Sequence, residues 1–158
     1  MTSFLKTDSS NKDFQQLVEL LDADLKFRDG DDHTFYAQFN KIVDIQNVIV
    51  CYIDDYAVGC GAFKLFDESA VEIKRMFVRP EFRGRGLGLE ILRALELWAA
   101  ELGYPACVLE TGKRQSEAIQ LYQKAGYGII PNYGQYSGIE NSVCMRKTLY
   151  TTNHGNIA

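Results

Sequence analysis

The chain has no apolar run close to the roughly 20 residues that a membrane-crossing helix needs, so no membrane partner is expected. Positive charge is also short. The formal net charge is −4, which speaks against a nucleic-acid partner. The opening residues, MTSFLKTDSSNKDF, lack the apolar core of a secretory signal, and a cytoplasmic location is expected. The four cysteines, Cys51, Cys60, Cys107 and Cys144, include no C-x-x-C pair. Each lies in an apolar, strand-like run, so buried free thiols are expected, with no disulfide and no metal site. There is no repeat, linker or low-complexity tract. Residues 1–158 are therefore read as a single α/β domain, long enough for a sizeable core.

Two familiar phosphate loops are missing as well. A GxGxxG loop would need glycine at position 89 or 91, where Leu89 and Ile91 stand. The sole Gly-Lys pair, Gly112-Lys113, has Cys107 where a Walker A loop starts and Arg114 where it ends. What is present is the stretch Val71–Trp98, around which the chain is organised. Val71, Ile73, Met76, Phe77 and Val78 read as a buried strand, which Pro80 ends. Arg83-Gly84-Arg85-Gly86-Leu87-Gly88 forms a loop. Leu87, Ile91, Leu95, Trp98 and Leu102 then step with a helical period. Glycines at a helix N-terminus let backbone N–H groups approach an anion, with the helix dipole in favour. Arg83 and Arg85 add donors suited to phosphate oxygens.

The remaining elements follow in order. Phe4 and Leu5 can start a short strand after a frayed lead-in. Ser10 and Asp13 suggest a capping box for a helix through Phe14, Leu17, Val18, Leu21 and Leu25, ended by Gly30. A weaker helix is expected through Phe35, Phe39 and Ile42, with His33 as a surface cap. Asn47–Ile53, Tyr56–Phe66 and the strand near 70–78 read as an antiparallel meander, loosened at Gly59 and Gly61. Ala106–Thr111 is the next strand, parallel to the central one across the helix. Gln115–Ala125 is a short helix stopped by Gly126. Tyr127–Ile130 and Ser142–Leu149 are the last strands, joined by the loop Pro131–Asn141. The tail 150–158 is expected to be disordered.

Arg83, Gly86 and Gly88 fit the pattern Gln/Arg-x-x-Gly-x-Gly/Ala. Downstream, Ala118, Leu121, Tyr122, Lys124, Gly126 and Tyr127 fit Ala-x-x-Leu/Phe-Tyr-x-Lys-x-Gly-Phe/Tyr. In this order and spacing, the chain over about residues 45–149 resembles the GCN5-related N-acetyltransferase (GNAT) superfamily. The resemblance implies a mixed sheet of six or seven strands with about four helices, splayed at the cofactor site. It implies acetyl-CoA as cofactor. The backbone of Met76, Phe77 and Val78 would hold the pantetheine arm like an added strand. Arg83, Gly84, Arg85, Gly86, Leu87 and Gly88 would hold the pyrophosphate. Many members carry Asn where Gln115 stands, and the longer amide either keeps or loses that cofactor contact.

The implied reaction moves an acetyl group directly to a primary amine of a small molecule or amino-acid-like acceptor, in a ternary complex. A homodimer is the assembly allowed for. A CoA-binding regulatory module and a transferase of longer acyl groups are the alternatives. Tyr122 is the candidate acid for the departing thiolate, or else a core tyrosine. Glu72, eleven positions before Arg83, is the candidate base, or else the partner of Lys74 in a charge pair. Strand alternation places Glu72, Lys74 and Met76 on one face and Ile73, Arg75 and Phe77 on the other. Tyr133 and Tyr136 are expected in a loop over the acceptor site. Phe27, Arg28, Asp29, Asp31 and Asp32 are expected as its opposite wall. The acidic chain favours a cationic small amine as acceptor, whereas Lys74 and Arg75 could pair with a carboxylate and favour an amino-acid-like one.

Overall fold

The computed structural model describes residues 1–29 and 44–149, with side chains of the first stretch as far as Phe27. The expected helix around His33, Phe35, Phe39 and Ile42 and the tail from Tyr150 lie outside the described residues. The elements are β1 (Thr2–Thr7), α1 (Lys12–Asp29), β2 (Asn47–Ile53), β3 (Tyr56–Asp67) and β4 (Ala70–Val78). A 3-10 turn at Pro80–Phe82 leads to α2 (Leu87–Glu101), β5 (Ala106–Gly112), α3 (Ser116–Lys124) and β6 (Gly128–Ile130). A second 3-10 turn, Gly134–Tyr136, precedes β7 (Ser142–Thr148). The seven strands form one sheet in the order β1-β2-β3-β4-β5-β7-β6. Every neighbouring pair is antiparallel except β4 and β5.

Local chemistry accounts for the joints. Asp54 and Asp55 take φ of 49° and 68°, which short polar residues tolerate, and the tight β2–β3 hairpin needs both. The α1 cap is Asn11 rather than Ser10: its Oδ1 accepts the Phe14 N–H at 2.9 Å. The Ser10 hydroxyl donates to Asp8 instead. Phe14, Leu17 and Val18 of α1 pack on one face of the sheet, against Val48, Val50 and Phe77. Leu87, Ile91, Leu92 and Leu95 of α2 pack on the other, against Ile49, Phe63, Val71 and Ile73. The expected α2 stripe stops short of Leu102, which lies just past the helix end and is exposed. All four cysteines are free and buried, as expected.

The register of β3 shifts beside Gly59 and at Gly61, and both glycines admit its neighbours. A Cβ at Gly59 would stand 2.9 Å from the Phe77 carbonyl oxygen and 3.0 Å from Ile91 Cδ1. One at Gly61 would stand 2.6 Å from Met76 Sδ and 2.7 Å from Leu95 Cδ1. The missing side chains are what let α2 and β4 sit so close to β3.

Two irregularities in β4 shape everything downstream. The first is a β-bulge. Cys60 opposes Phe77 and Ala62 opposes Lys74, so Arg75 and Met76 together face Gly61. Arg75 takes a φ of 61° to make it. The bulge overturns the simple alternation expected from the sequence. Ile73, Met76 and Val78 share the α2 face. Phe77 joins the α1 core, and Arg75 reaches Asp22 of α1. The second irregularity is the expected splay. β4 pairs with β5 only at Ala70↔Ala106, Val71↔Cys107 and Glu72↔Val108. β5 stays paired with β7 as far as Gly112↔Ser142.

Gly59→Ala is expected to destabilise the protein by about 1–3 kcal/mol through overpacking against a backbone oxygen. Because that oxygen belongs to Phe77, acetyl-CoA affinity should weaken as well. Urea melts and calorimetry on the variant check both, and an unchanged melt with unchanged affinity would show that β3 yields without disturbing β4.

Candidate active site

The loop after β4 is built to receive an anion. Gly84 and Gly86 take φ of 84° and 80°, which favours glycine, and a Cβ on either would meet nothing within 4 Å. Their backbone therefore faces open space. Gly86 is the N-cap of α2, and no side chain caps that end. The first N–H groups of a 15-residue helix thus point out of the loop. The Arg83 Nε donates to the Val78 carbonyl at 2.8 Å, and its guanidinium lies 5.5 Å from the Phe77 ring centroid. Arg83 thereby ties the loop to the end of β4. Arg85 lies over the Phe82 ring.

A groove runs from this loop along the unpaired end of β4. Met76, Phe77 and Val78 form one wall, Arg83, Gly84 and Gly86 to Leu89 the mouth, and Ala118, Leu121 and Tyr122 of α3 the other wall; the expected Arg85 is not among the lining residues. A second, smaller cleft opens on the far side of the splay. Glu72, Lys74 and Arg75 line it from β4, Glu110 and Thr111 from β5, and Leu21 and Leu25 from α1. The two cavities share Met76, Gln115, Ala118 and Tyr122, together with Leu21. The two cavities therefore adjoin along shared walls at the splay, with Tyr122 in both.

Burial sets the charge states of the groups that line these cavities. Tyr122 is 7% exposed. Burial, with the Glu110 carboxylate adding to it, pushes its phenol above the usual range, so the hydroxyl stays protonated. Glu72 is 4% exposed. Its Oε2 accepts the Tyr133 hydroxyl at 2.8 Å, and its Oε1 lies 3.8 Å from Lys74 Nζ. Burial lowers the pKa of Lys74, partly offset by Glu72. Burial, and then the Glu72 charge, raises that of Tyr133.

The structure brings together most of the residues singled out in the sequence. Gln115 is the N-cap of α3 and lines both cavities, where an amide could reach a cofactor. Tyr136 is buried and lines the second cleft. The Tyr133–Tyr136 loop is tied down by Asn132, whose amide donates to the carbonyls of Ile139 and Ser142. Tyr127 of the second signature has a packing role. Its hydroxyl donates to Glu96 of α2, which also pairs with Lys147 of β7 at 2.8 Å. The α1 wall differs from expectation. Leu21 and Leu25 form it, while Phe27 is 87% exposed and points away. The Arg28 side chain lies outside the described residues. Glu110 was missed. Cys107 and Leu109 are core residues, so alternation puts Glu110 on the opposite face. Only the splay beyond Val108 turns that face into a cleft.

Comparison with known proteins agrees with this geometry. Residues 14–127 match the family model of the acetyltransferase (GNAT) family. An IAA acetyltransferase of Azospirillum brasilense is 35% identical over 142 residues, covering 85% of this chain and 89% of that protein. An uncharacterised N-acetyltransferase of Schizosaccharomyces pombe is 30% identical, covering 91% of each chain. A Klebsiella pneumoniae structure assigned to the acyl-CoA N-acyltransferases superposes with a TM-score of 0.80 at 28% identity, over 95% of this chain and 99% of that one. A GNAT family acetyltransferase from Elizabethkingia anophelis, solved with acetyl-CoA bound, superposes at 0.66 with 17% identity, over 94% and 98% of the chains. The chain belongs to the GNAT acetyltransferase family. It is an enzyme of the N-acyltransferase class, and the donor of that family is acetyl-CoA. No described helix is long and apolar enough to cross a membrane.

Gly88→Glu should abolish acetyl-CoA binding by placing a carboxylate at the anion site. Gly88 is a cleaner test than Gly86, whose φ of 80° would strain any other residue. Gly88→Ala is the control: its Cβ would meet the flexible end of Leu121 at 3.3 Å and Val78 Cγ2 at 3.9 Å, an ordinary contact. Calorimetry should show binding with Ala and none with Glu, and undiminished binding with Glu would show that the loop does not hold the phosphates.

Proposed function

We propose that this enzyme transfers the acetyl group of acetyl-CoA directly to the primary amine of a small molecule bound in the second cleft. The observation that carries this reading is the meeting of the two cavities at Met76, Gln115, Ala118 and Tyr122. A module that only bound CoA would need the groove and not the cleft beyond it. Acetyl-CoA supplies an activated acyl carbon and a thiolate leaving group.

The residues of the chain supply the rest. The unpaired edge of β4 over Met76, Phe77 and Val78 takes an extended arm as an added strand. Gly84, Gly86, Leu87 and Gly88 present backbone N–H groups to the phosphates, with Arg83 and Arg85 beside them. A backbone N–H near Phe77 donates to the carbonyl oxygen as negative charge gathers on it. Tyr122 gives its proton to the sulfur as the C–S bond breaks and the N–C bond forms. Glu72 takes the proton that the amine must lose. Glu110 is the second carboxylate able to do so, because it lines the same cleft and its charge acts on Tyr122.

Transfer is direct because no cysteine lines either cavity among the described residues. Burial pushes Cys51 and Cys144 to about 11 and Cys60 and Cys107 to about 12, so none is a ready thiolate nucleophile. Four buried, unpaired thiols suit a reducing cytosol.

A screen of amines, amino acids and peptides by thiol release from acetyl-CoA tests the reading, and tight acetyl-CoA binding with no acceptor at all would leave only a binding module. Tyr122→Phe keeps the ring and loses the hydroxyl. Turnover should fall by roughly 10²-fold with little change in melting temperature. Because burial holds this phenol protonated well past neutrality, the ratio to wild type should stay flat from neutral to mildly alkaline pH. A fully active Phe variant, with chemistry rate-limiting, would return Tyr122 to the core.

Glu72→Gln and Glu110→Gln separate the two bases. Loss of the true base should be largest near neutral pH and shrink at high pH, where free amine is already abundant. An equal loss at every pH with Glu72→Gln would assign Glu72 to holding Lys74 and Tyr133 in place.

A further inference from the structure

Arg75 carries two unfavourable features at once. It adopts a φ of 61°, which a non-glycine residue rarely does, at the bulge of β4. Its side chain is 2% exposed, yet its charge cannot be relieved by deprotonation. Its Nη1 lies 3.7 Å from Asp22, a carboxylate that is half exposed on α1. Its Nε and Nη2 are buried and have no hydrogen-bond partner among the described residues. Those two nitrogens lie on one edge of the planar guanidinium, the edge that meets two coplanar oxygens side by side. The same residue lines the second cleft. Without the bulge, Arg75 would fall on the face of Ile73, in the apolar core. The bulge turns it onto the face of Glu72 and Lys74.

We propose that Arg75 binds the carboxylate of the acceptor through its Nε and Nη2, so that the acceptor is an amino acid or close analogue whose amine faces Tyr122. This rests on the reading of the second cleft as the acceptor site. The charges around Arg75 select the kind of anion. Lys74 is matched by Glu72 at 3.8 Å and does not need a second partner. Glu72 and Glu110 line the cleft and repel a doubly charged group. One singly charged anion with a planar pair of oxygens matches the unpartnered edge. A phosphate or phosphonate brings a second charge with nothing to meet it. Lys would not replace Arg here, because it is a point charge without that edge.

The test compares each L-amino acid with its carboxamide and with the aminophosphonate of the same side chain, by thiol release from acetyl-CoA. The carboxamide is the less basic amine and has more free base, so reactivity alone favours it. Acids should nevertheless be preferred in kcat/KM by about 10- to 100-fold, the range of hydrogen bonds to a charged group. Arg75→Gln should remove that preference by raising KM for acids, and Arg75→Lys should restore only part of it. Acetyl-CoA binding by calorimetry shows that each variant is folded. The wild-type comparison decides the matter if neither variant folds. Equal use of acids and carboxamides, or preference for phosphonates, would overturn the role of Arg75 while transfer to amines stands. So would a loss in Arg75→Gln that is the same for acids and carboxamides. Bound acetyl-CoA with no thiol release for any panel member would overturn the acceptor-site reading itself, and this proposal with it.

Discussion

β4 stops pairing with β5 after three residues, and the rest of the site depends on that parting. A strand edge inside a protein must place its N–H and C=O groups on some partner. Here the partner strand leaves, and the freed edge lies open along a groove. β5 can leave because β7 satisfies its other edge to the end. The gap is then walled by α3, which sets Gln115, Ala118 and Tyr122 across it. One break in hydrogen bonding thus yields a free strand edge and two adjoining cavities with Tyr122 in the wall of both.

The second constraint is how closely α2 lies on the sheet. Its N-terminus must be held at the end of β4 for the glycine loop to face the groove. Gly59 and Gly61 permit this by leaving no side chain between β3, Met76 and Ile91. At the far side, Glu96 of α2 takes hydrogen bonds from Tyr127 and Lys147, fixing α2 to β6 and β7. A buried charge needs such partners. The anion loop is therefore held from both ends of its helix.

The cleft beyond the splay is polar for its depth. Glu72, Lys74, Arg75 and Glu110 all line it. The bulge is the device that gathers three of them, because it puts two successive β4 residues, Lys74 and Arg75, on one face. Tyr133 closes over Glu72 from the β6–β7 connection, so that loop bears directly on the charge balance of the cleft.

Much of this was legible in the sequence. Glycine spacing, apolar periodicity and Pro80 act locally, so the strand, loop and helix from Val71 to Trp98 could be read from neighbouring residues. The strand order near the site and the buried thiols followed from patterns of the same short range. Tyr122 and Gln115 could be singled out by their place in a signature, though not by any contact. The cap at Asn11, the faces of β4, the α1 wall and Glu110 could not be read in the same way. Alternation assumes an unbroken ladder, and one extra residue at Arg75 reverses every face after it. That bulge exists because β3, α2 and β4 must fit around Gly61, residues far apart in the chain. The amino acids fixed which groups could bind and react, and only packing between distant elements decided which of them share one cavity.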